Sequence, residues 1–419
     1  MTMNAKRRRA HQKLAAQPGV RSVRRPVSKD TDRQFDLYYV RAGRKSAHPV
    51  VIIPGGPGAA SVALYRGVRR RTAAAGLDVI MMEHRGVGMS RHDDAGADLP
   101  PEALTIEQVV DDLAAVLDDA HVDKAILYGT SYGTYIAEGV GVRHPQRVHG
   151  MVLDSPVLSG HDIEVVRAAI KDTLWDGTGS ETADLAPKVR KLVDEGVLTP
   201  ASGQVAAAMY GFGGPALLNR QLDLLLDGRL GLWGLLDGAT RRAFARKAPY
   251  RNEPDLVSRI GFRELNYGGV PDGTPLDPAA AFRDIAADPV EFEAEPFDMV
   301  AEMPKFTWPT VVASGGRDLI TPPAVADRIA SLIPNAVLVR LATAGHSILD
   351  SREQAALQIA KSFYDNRIDT LAGRAAELDA LPEPRPVRLM LAAIGVATAV
   401  ERVMPDVLPR IVHRFATTS

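Results

Sequence analysis

Ser131 lies in Gly129-Thr130-Ser131-Tyr132-Gly133, between an apolar run at 125–128 and a stretch at 134–142 with helix-forming composition. A G-x-S-x-G between strand and helix predicts a turn so tight that its glycines are needed to avoid clashes. Such a turn pushes the serine hydroxyl out above the sheet, at the positive end of the following helix. The pattern alone has little weight. With 36 Gly in 419 residues, about one such chain in ten holds it by chance, as a glycine-rich turn with a surface serine.

A serine hydroxyl attacks only when a base takes its proton, and that base must be oriented by a third group. On a strand–elbow–helix scaffold the partners follow in the order serine, acid, histidine. Asp318 follows an apolar run at 310–313, and His346 sits in Ala342-Thr343-Ala344-Gly345-His346-Ser347 after another at 336–341. Both are expected at the same sheet edge as Ser131. Asp318 could otherwise be a turn carboxylate beside Arg317, and His346 an ordinary loop histidine. Asp154, also at the end of an apolar run, is the second candidate acid.

Residues 50–53 run into Pro54-Gly55-Gly56-Pro57-Gly58, a loop whose backbone N–H groups are not screened by side chains. No Lys-Ser/Thr follows, so it is not a phosphate-binding P-loop. The N–H of Gly56 and that of Tyr132 are the candidate oxyanion-hole donors. Three ordered partners and this loop together give Ser131 a chemical reading that the pentapeptide lacks.

Positioning them needs a sheet. Short apolar runs at 50–53, 77–82, 125–128, 150–153, 310–313 and 336–341 alternate with helical patterns at 105–117, 324–332 and 354–364. That rhythm predicts a mostly parallel sheet flanked by helices, an α/β class. Thr105 and Gln108 read as a capping box. Residues 20–27 and 35–40 read as edge strands. From 159 to 303 the rhythm stops and helices are expected at 163–174, 186–193 and 217–226, as a cap over the sheet's C-terminal edge. The division is 1–34, N-terminal tail and edge strand; 35–158, core; 159–303, helical cap; 304–370, core; 371–419, linker and apolar helix.

Fifty basic and 51 acidic residues give a formal charge of −1. No general electrostatic case for nucleic acid follows. There is no cysteine, which excludes disulfides, thiolate catalysis and Cys-ligated zinc and fits a cytoplasmic protein. Lys6-Arg7-Arg8-Arg9 is followed by no apolar run of signal-peptide length, and 1–13 reads as a solvated tail. After Pro382-Glu383-Pro384-Arg385-Pro386, residues 387–404 read as an apolar helix whose 12-residue uncharged run, 389–400, is short of the ~20 needed to span a bilayer. It is expected to pack on the body or on a second subunit of a homo-oligomer. Attachment to a membrane surface through Arg385, Arg388, Arg410 and Arg414 is the weaker alternative.

The motifs at 54–58, Arg85-Gly86-x-Gly88-x-Ser90, 129–133 and Gly316-x-Asp318-x-x-Thr321-Pro322 resemble those of the proline iminopeptidase and tripeptidyl aminopeptidase group of α/β-hydrolase-fold serine peptidases. The resemblance covers roughly 35–160 and 300–365. It implies an α/β-hydrolase fold with an inserted helical cap, a Ser131–Asp318–His346 triad, and release of N-terminal residues from peptides without metal or organic cofactor. Many iminopeptidases have His at the position of Pro54, and an acidic residue, Gln, Arg and Gly where this chain has Glu83-His84-Arg85-Gly86. The Pro54 departure favours a tripeptidyl-type peptidase or an esterase over a strict iminopeptidase. In the family, cap carboxylates hold the substrate's ammonium. Glu264 is the candidate here, with pairing to Arg263 or Arg259 as its other reading. The expected partner is a small peptide or ester; a carboxylesterase or lactonase would use the same triad.

Overall fold

The computed structural model describes residues 3–245, 247–285 and 290–404. Its sheet comprises β1 (Val20–Pro26), β2 (Gln34–Ala42), β3 (Val50–Ile53), β4 (Val79–Met82), β5 (Ala125–Thr130), β6 (Val148–Asp154), β7 (Thr310–Gly315) and β8 (Ala336–Leu341). They lie in the order β1-β2-β4-β3-β5-β6-β7-β8. β1 and β2 are antiparallel to their neighbours, and the six later strands are parallel.

The helices used below are α1 (Ala5–Ala15), α2 (Ile106–Asp119), α3 (Tyr132–Arg143), α4 (Asp162–Ile170), α5 (Pro200–Leu226), α6 (Gly231–Ala245), α7 (Pro254–Leu265), α8 (Pro323–Leu332), α9 (Glu353–Tyr364) and α10 (Arg385–Val403). Strands β3, β4, β5 and β7 are buried at every residue. Both sheet faces are covered, so these strands are continuously apolar rather than alternating. Strand periodicity divides them. Val51, Leu127 and Val312 pack towards α2, α3 and α8, while Ile52, Ile126 and Val311 pack towards α9.

Between β6 and β7 the chain is helical, with its own apolar cluster around Leu174, Val189, Leu192, Leu218 and Leu222. The helix expected over 163–174 changes at Lys171 into a wider-turned π segment, Lys171–Asp176. α5 is two helices joined at Gly214, φ 74° and ψ 172°, ahead of Pro215. Proline lacks an N–H and starts the second helix more readily than it continues the first.

Two expectations change. The basic tail is not solvated throughout: α1 occupies it, and Arg7 is 5% exposed. The capping box is half formed. Thr105 accepts from the Gln108 N–H at 3.3 Å, but the Gln108 carboxamide turns to Arg85. α10 packs on the body, one of the two placements expected for it, and the surface it uses is the cap. Thr398 accepts from Gln221 at 2.7 Å, and the Glu401 carboxylate takes the N–H groups of Gly231 and Leu232, capping α6. No helix among the described residues is long and apolar enough to cross a membrane. Arg410 and Arg414 lie outside the described residues.

Candidate active site

β5 ends at Thr130, Ser131 takes φ 52° and ψ −126°, and α3 begins at Tyr132. That backbone conformation is costly for a residue with a side chain, and its surroundings enforce it. A Cβ on Gly129 would lie 2.3 Å from the Gly133 carbonyl oxygen, and one on Gly133 would lie 2.1 Å from that of Ile53. Glycine is required at both ends of the turn.

The loop after β3 closes on the same point. A Cβ on Gly55 would stand 3.0 Å from Ser131 Cβ, and Gly56, at φ 129°, borders the same cavity as Ser131. Tyr132 opens α3, where first-turn N–H groups have no intrahelical acceptor. Its side chain is buried, with its hydroxyl 3.1 Å from His84 Nε2. His84 Nδ1 lies 2.5 Å from the Arg85 carbonyl. A carbonyl can only accept, so Nδ1 carries the hydrogen and Nε2 accepts from Tyr132. Burial pushes His84 down to about 4, which keeps it neutral.

Arg85 is structural. It is 1% exposed and grips Asp112 of α2 with two hydrogen bonds of 2.6 and 2.7 Å. A bidentate pair of this kind fixes orientation as well as charge.

Asp318 follows β7 and is buried. Its Oδ1 accepts from the N–H groups of Ile320 and Thr321 at 2.8 and 2.9 Å, and its Oδ2 from Thr321 Oγ1 at 3.0 Å and His346 Nδ1 at 2.9 Å. Burial opposes the charge on Asp318, but His346 and these donors hold its carboxyl below the usual range. Burial likewise opposes the charge on His346, yet the Asp318 carboxylate beside it raises the imidazole above its ordinary value. The ring remains 20% exposed and borders the cavity that Ser131 faces.

Asp154 does not reach the ring. Its two oxygens accept from the N–H groups of Ile348 and Leu349 at 2.9 and 2.8 Å, which anchors the loop just beyond His346. The loop is also pressed from above. A Cβ on Gly345 would lie 2.6 Å from the Gly211 carbonyl carbon of α5, so cap and loop meet backbone to backbone.

The cavity has a volume of about 330 Å³. Its wall is largely apolar, including Val166, Phe282 and Leu319, but it also carries Asp162, Asn266 and Tyr267. Asp162 Oδ2 accepts from the Leu158 and Ser159 N–H groups at 2.7 and 3.2 Å, and among the described residues Oδ1 takes no hydrogen bond. Burial raises Asp162 to about 6.

Glu264 stands apart from this wall. Its Oε2 accepts from the Ile106 N–H at 2.8 Å, at the start of α2, and its Oε1 pairs with Arg263. α7 ends at Leu265, and Asn266 in the left-handed region (φ 54°) turns the chain. The turn brings Leu265, Asn266 and Tyr267 to the cavity and leaves Glu264 facing α2. The sequence signal for Asp162 was an acid in the first turn of a helix, which by itself reads as dipole compensation. Among the described residues, no group of three or more His, Asp or Glu is arranged to hold a metal ion.

Residues 48–183 match a family model described as the alpha/beta hydrolase fold. The chain is 22% identical to a probable proline iminopeptidase of Leptolyngbya boryana, over 77% of this chain and 88% of that one. A shorter match, 39% over 82 residues, is to a polyketide synthase of Burkholderia thailandensis, covering 19% of this chain and 4% of the synthase. The chain covers between 4% and 35% of the length of the first curated relatives it matches. Among solved structures it is similar to a proline iminopeptidase of Mycobacterium smegmatis, at 16% identity and a TM-score of 0.46, over 84% of this chain and 100% of that one.

Proposed function

We propose, from the α/β-hydrolase fold of this chain, that it is a serine hydrolase, an aminopeptidase cleaving short peptides through an acyl-enzyme. The observation carrying the reading is that Ser131 and His346 border one cavity while Asp318 holds the far side of the imidazole at 2.9 Å. His346 Nε2 takes the Ser131 proton as Oγ attacks the scissile carbonyl carbon, and the Gly56 and Tyr132 N–H groups receive the oxyanion. The tetrahedral intermediate collapses as His346 returns that proton to the leaving amine. Water then attacks the ester, with the same base, and frees Ser131.

Asp162 supports the amine end of the proposal. It is a carboxylate on a largely apolar wall, and its Oδ1, which takes no hydrogen bond among the described residues, would accept a charge-assisted bond from an N-terminal ammonium. It assumes the role first assigned to Glu264, whose oxygens are engaged elsewhere. The apolar wall also suits an acyl chain, which favours a carboxylesterase or lactonase as the second reading.

Aminoacyl arylamides, including proline and tripeptide forms, compared with their N-blocked counterparts and with short acyl esters, test the choice. Selective turnover of the free-amine compounds is expected. Equal turnover of blocked and free forms replaces the aminopeptidase with an esterase.

A further inference from the structure

The basic run Lys6-Arg7-Arg8-Arg9 has one member that the site does not account for. Arg7, on α1, reaches Glu253 immediately before α7 with two hydrogen bonds of 2.5 and 2.9 Å. Both partners are buried, at 5% and 0% side-chain exposure. The Arg7 guanidinium also donates to the Gly88 carbonyl at 3.0 Å and stacks over the Tyr250 ring at 4.7 Å, while the Tyr250 hydroxyl donates to the Arg7 carbonyl at 2.8 Å. Five contacts from one side chain and its backbone are more than a solvated helix needs.

Glu253 carries the connection onward. Its carboxylate accepts from the Gly88 N–H at 2.6 Å, and its own N–H donates to the Gly58 carbonyl at 2.9 Å. Next to it, the Ala60 N–H donates to the Arg251 carbonyl at 2.9 Å, and Ala59 bridges Asn252. Pro254 closes the gap, since a Cβ on Gly58 would lie 2.9 Å from its Cα. The segment 251–254 thus lies along the glycine loop like a short strand, two residues from Gly56. From below, Glu83 accepts from the Val62 and Met89 N–H groups at 2.8 and 3.1 Å. Glu253 and Glu83 are both fully buried, and Arg7 forms a direct ion pair with Glu253.

We infer that Arg7 is a positioning residue for the oxyanion loop: by neutralising Glu253 it holds segment 251–254 against Gly58 and so sets where the Gly56 N–H points. This rests on the serine-hydrolase reading of Ser131. Without Arg7 a buried carboxylate loses its counter-charge, and the low-cost response is for Glu253 to move towards water, drawing the Gly58 contact with it. Displacing a donor by a fraction of an ångström weakens it chiefly in the transition state, where the charge appears.

The test is Arg7→Met in the full chain, which keeps the bulk of the side chain and removes its charge. With the best ester or arylamide substrate, kcat should fall about tenfold at nearly constant KM, short of the ~10²–10³ lost when a donor is deleted outright. The inhibition constant of a boronic acid, which presents a tetrahedral anion on Ser131, should rise by the same factor. Arg7→Lys, which restores charge without the fork, should recover part of both. If Arg7→Met does not fold, Arg7→Met/Glu253→Gln, which leaves no unpaired charge, undergoes the same measurements. Wild-type kcat and boronate affinity in a folded variant overturn the inference, as does failure of both variants to fold, which makes Arg7 a stability residue only. A wild-type chain that Ser131-directed reagents do not label overturns the hydrolase reading instead.

Discussion

The sheet edge and the cap are held together by different means. At the edge, backbone meets backbone: Gly129 against Gly133, Gly133 against Ile53, and Gly315 against Gly345, each too close for a Cβ. In the cap, side chains do the joining, through Arg167 with Asp277, Lys188 with Asp223, and an apolar cluster around Leu218. Backbone contacts without slack define atomic positions narrowly, which suits groups that must meet a reacting carbonyl. Side-chain contacts tolerate exchange, which suits a wall that selects among substrates. The contrast teaches that the proposed chemistry and the proposed selectivity would occupy materials of different stiffness, with Gly211 on Gly345 as a point where they touch.

The largest effect should come from the edge. Ser131→Ala should lower kcat/KM by ~10⁴-fold or more and abolish labelling by a fluorophosphonate; labelling that persists at the site removes Ser131 as the nucleophile. The same edge predicts a pH profile. His346 must be neutral to act, and Asp318 raises its pKa, so kcat/KM should fall as pH drops through a midpoint above the ordinary ~6.5. Asp318→Asn should move that midpoint down.

Next is the cap wall. Asp162→Asn should raise KM for free-amine substrates by ~10-fold or more, the scale of a lost charge-assisted bond, and leave N-blocked esters unchanged. In the wild type, the free-amine advantage should fade as pH drops through about 6, where Asp162 takes up its proton. An equal change for esters would separate Asp162 from amine recognition.

A pair of glycine substitutions probes the two materials directly. Gly133→Ala puts a Cβ 2.1 Å from a carbonyl oxygen and should cost ~3 kcal/mol or more by thermal unfolding. Gly234→Ala, in α6 with nothing within 4 Å of the new Cβ, should stabilise by up to ~1 kcal/mol. Equal losses at both would erase the contrast. The smallest effect is expected from Glu264→Gln. It weakens a capping contact to Ile106, so stability should fall by ~0.5–1 kcal/mol with no change in KM for any substrate.

Much of the edge was legible from the chain alone. Short apolar runs gave the parallel strands because a strand covered on both faces must be apolar throughout. The turn residues around Ser131, Asp318 and His346 were legible because tight turns admit few residue types, which makes their chemistry local. The cap was less so. Glu264, Asn266 and Tyr267 are near neighbours in sequence, yet a single left-handed residue, Asn266, separates the carboxylate from the cavity and brings the other two to it. The capping role of Gln108 failed for a similar reason, as Arg85 took its carboxamide.

What the sequence determined by itself, then, is the α/β architecture and the elements that carry Ser131, Asp318 and His346, since both follow from periodicity and from turns only a few residues long. Which carboxylate borders the cavity, and which arginine of a basic run is buried, were decided only by tertiary packing. Asp162 is bonded locally, to Leu158 and Ser159, but shares its cavity wall with Tyr267, and Arg7 is paired with Glu253, both far along the chain. Burial and pairing of a charge depend on those distant partners, and no local pattern records them.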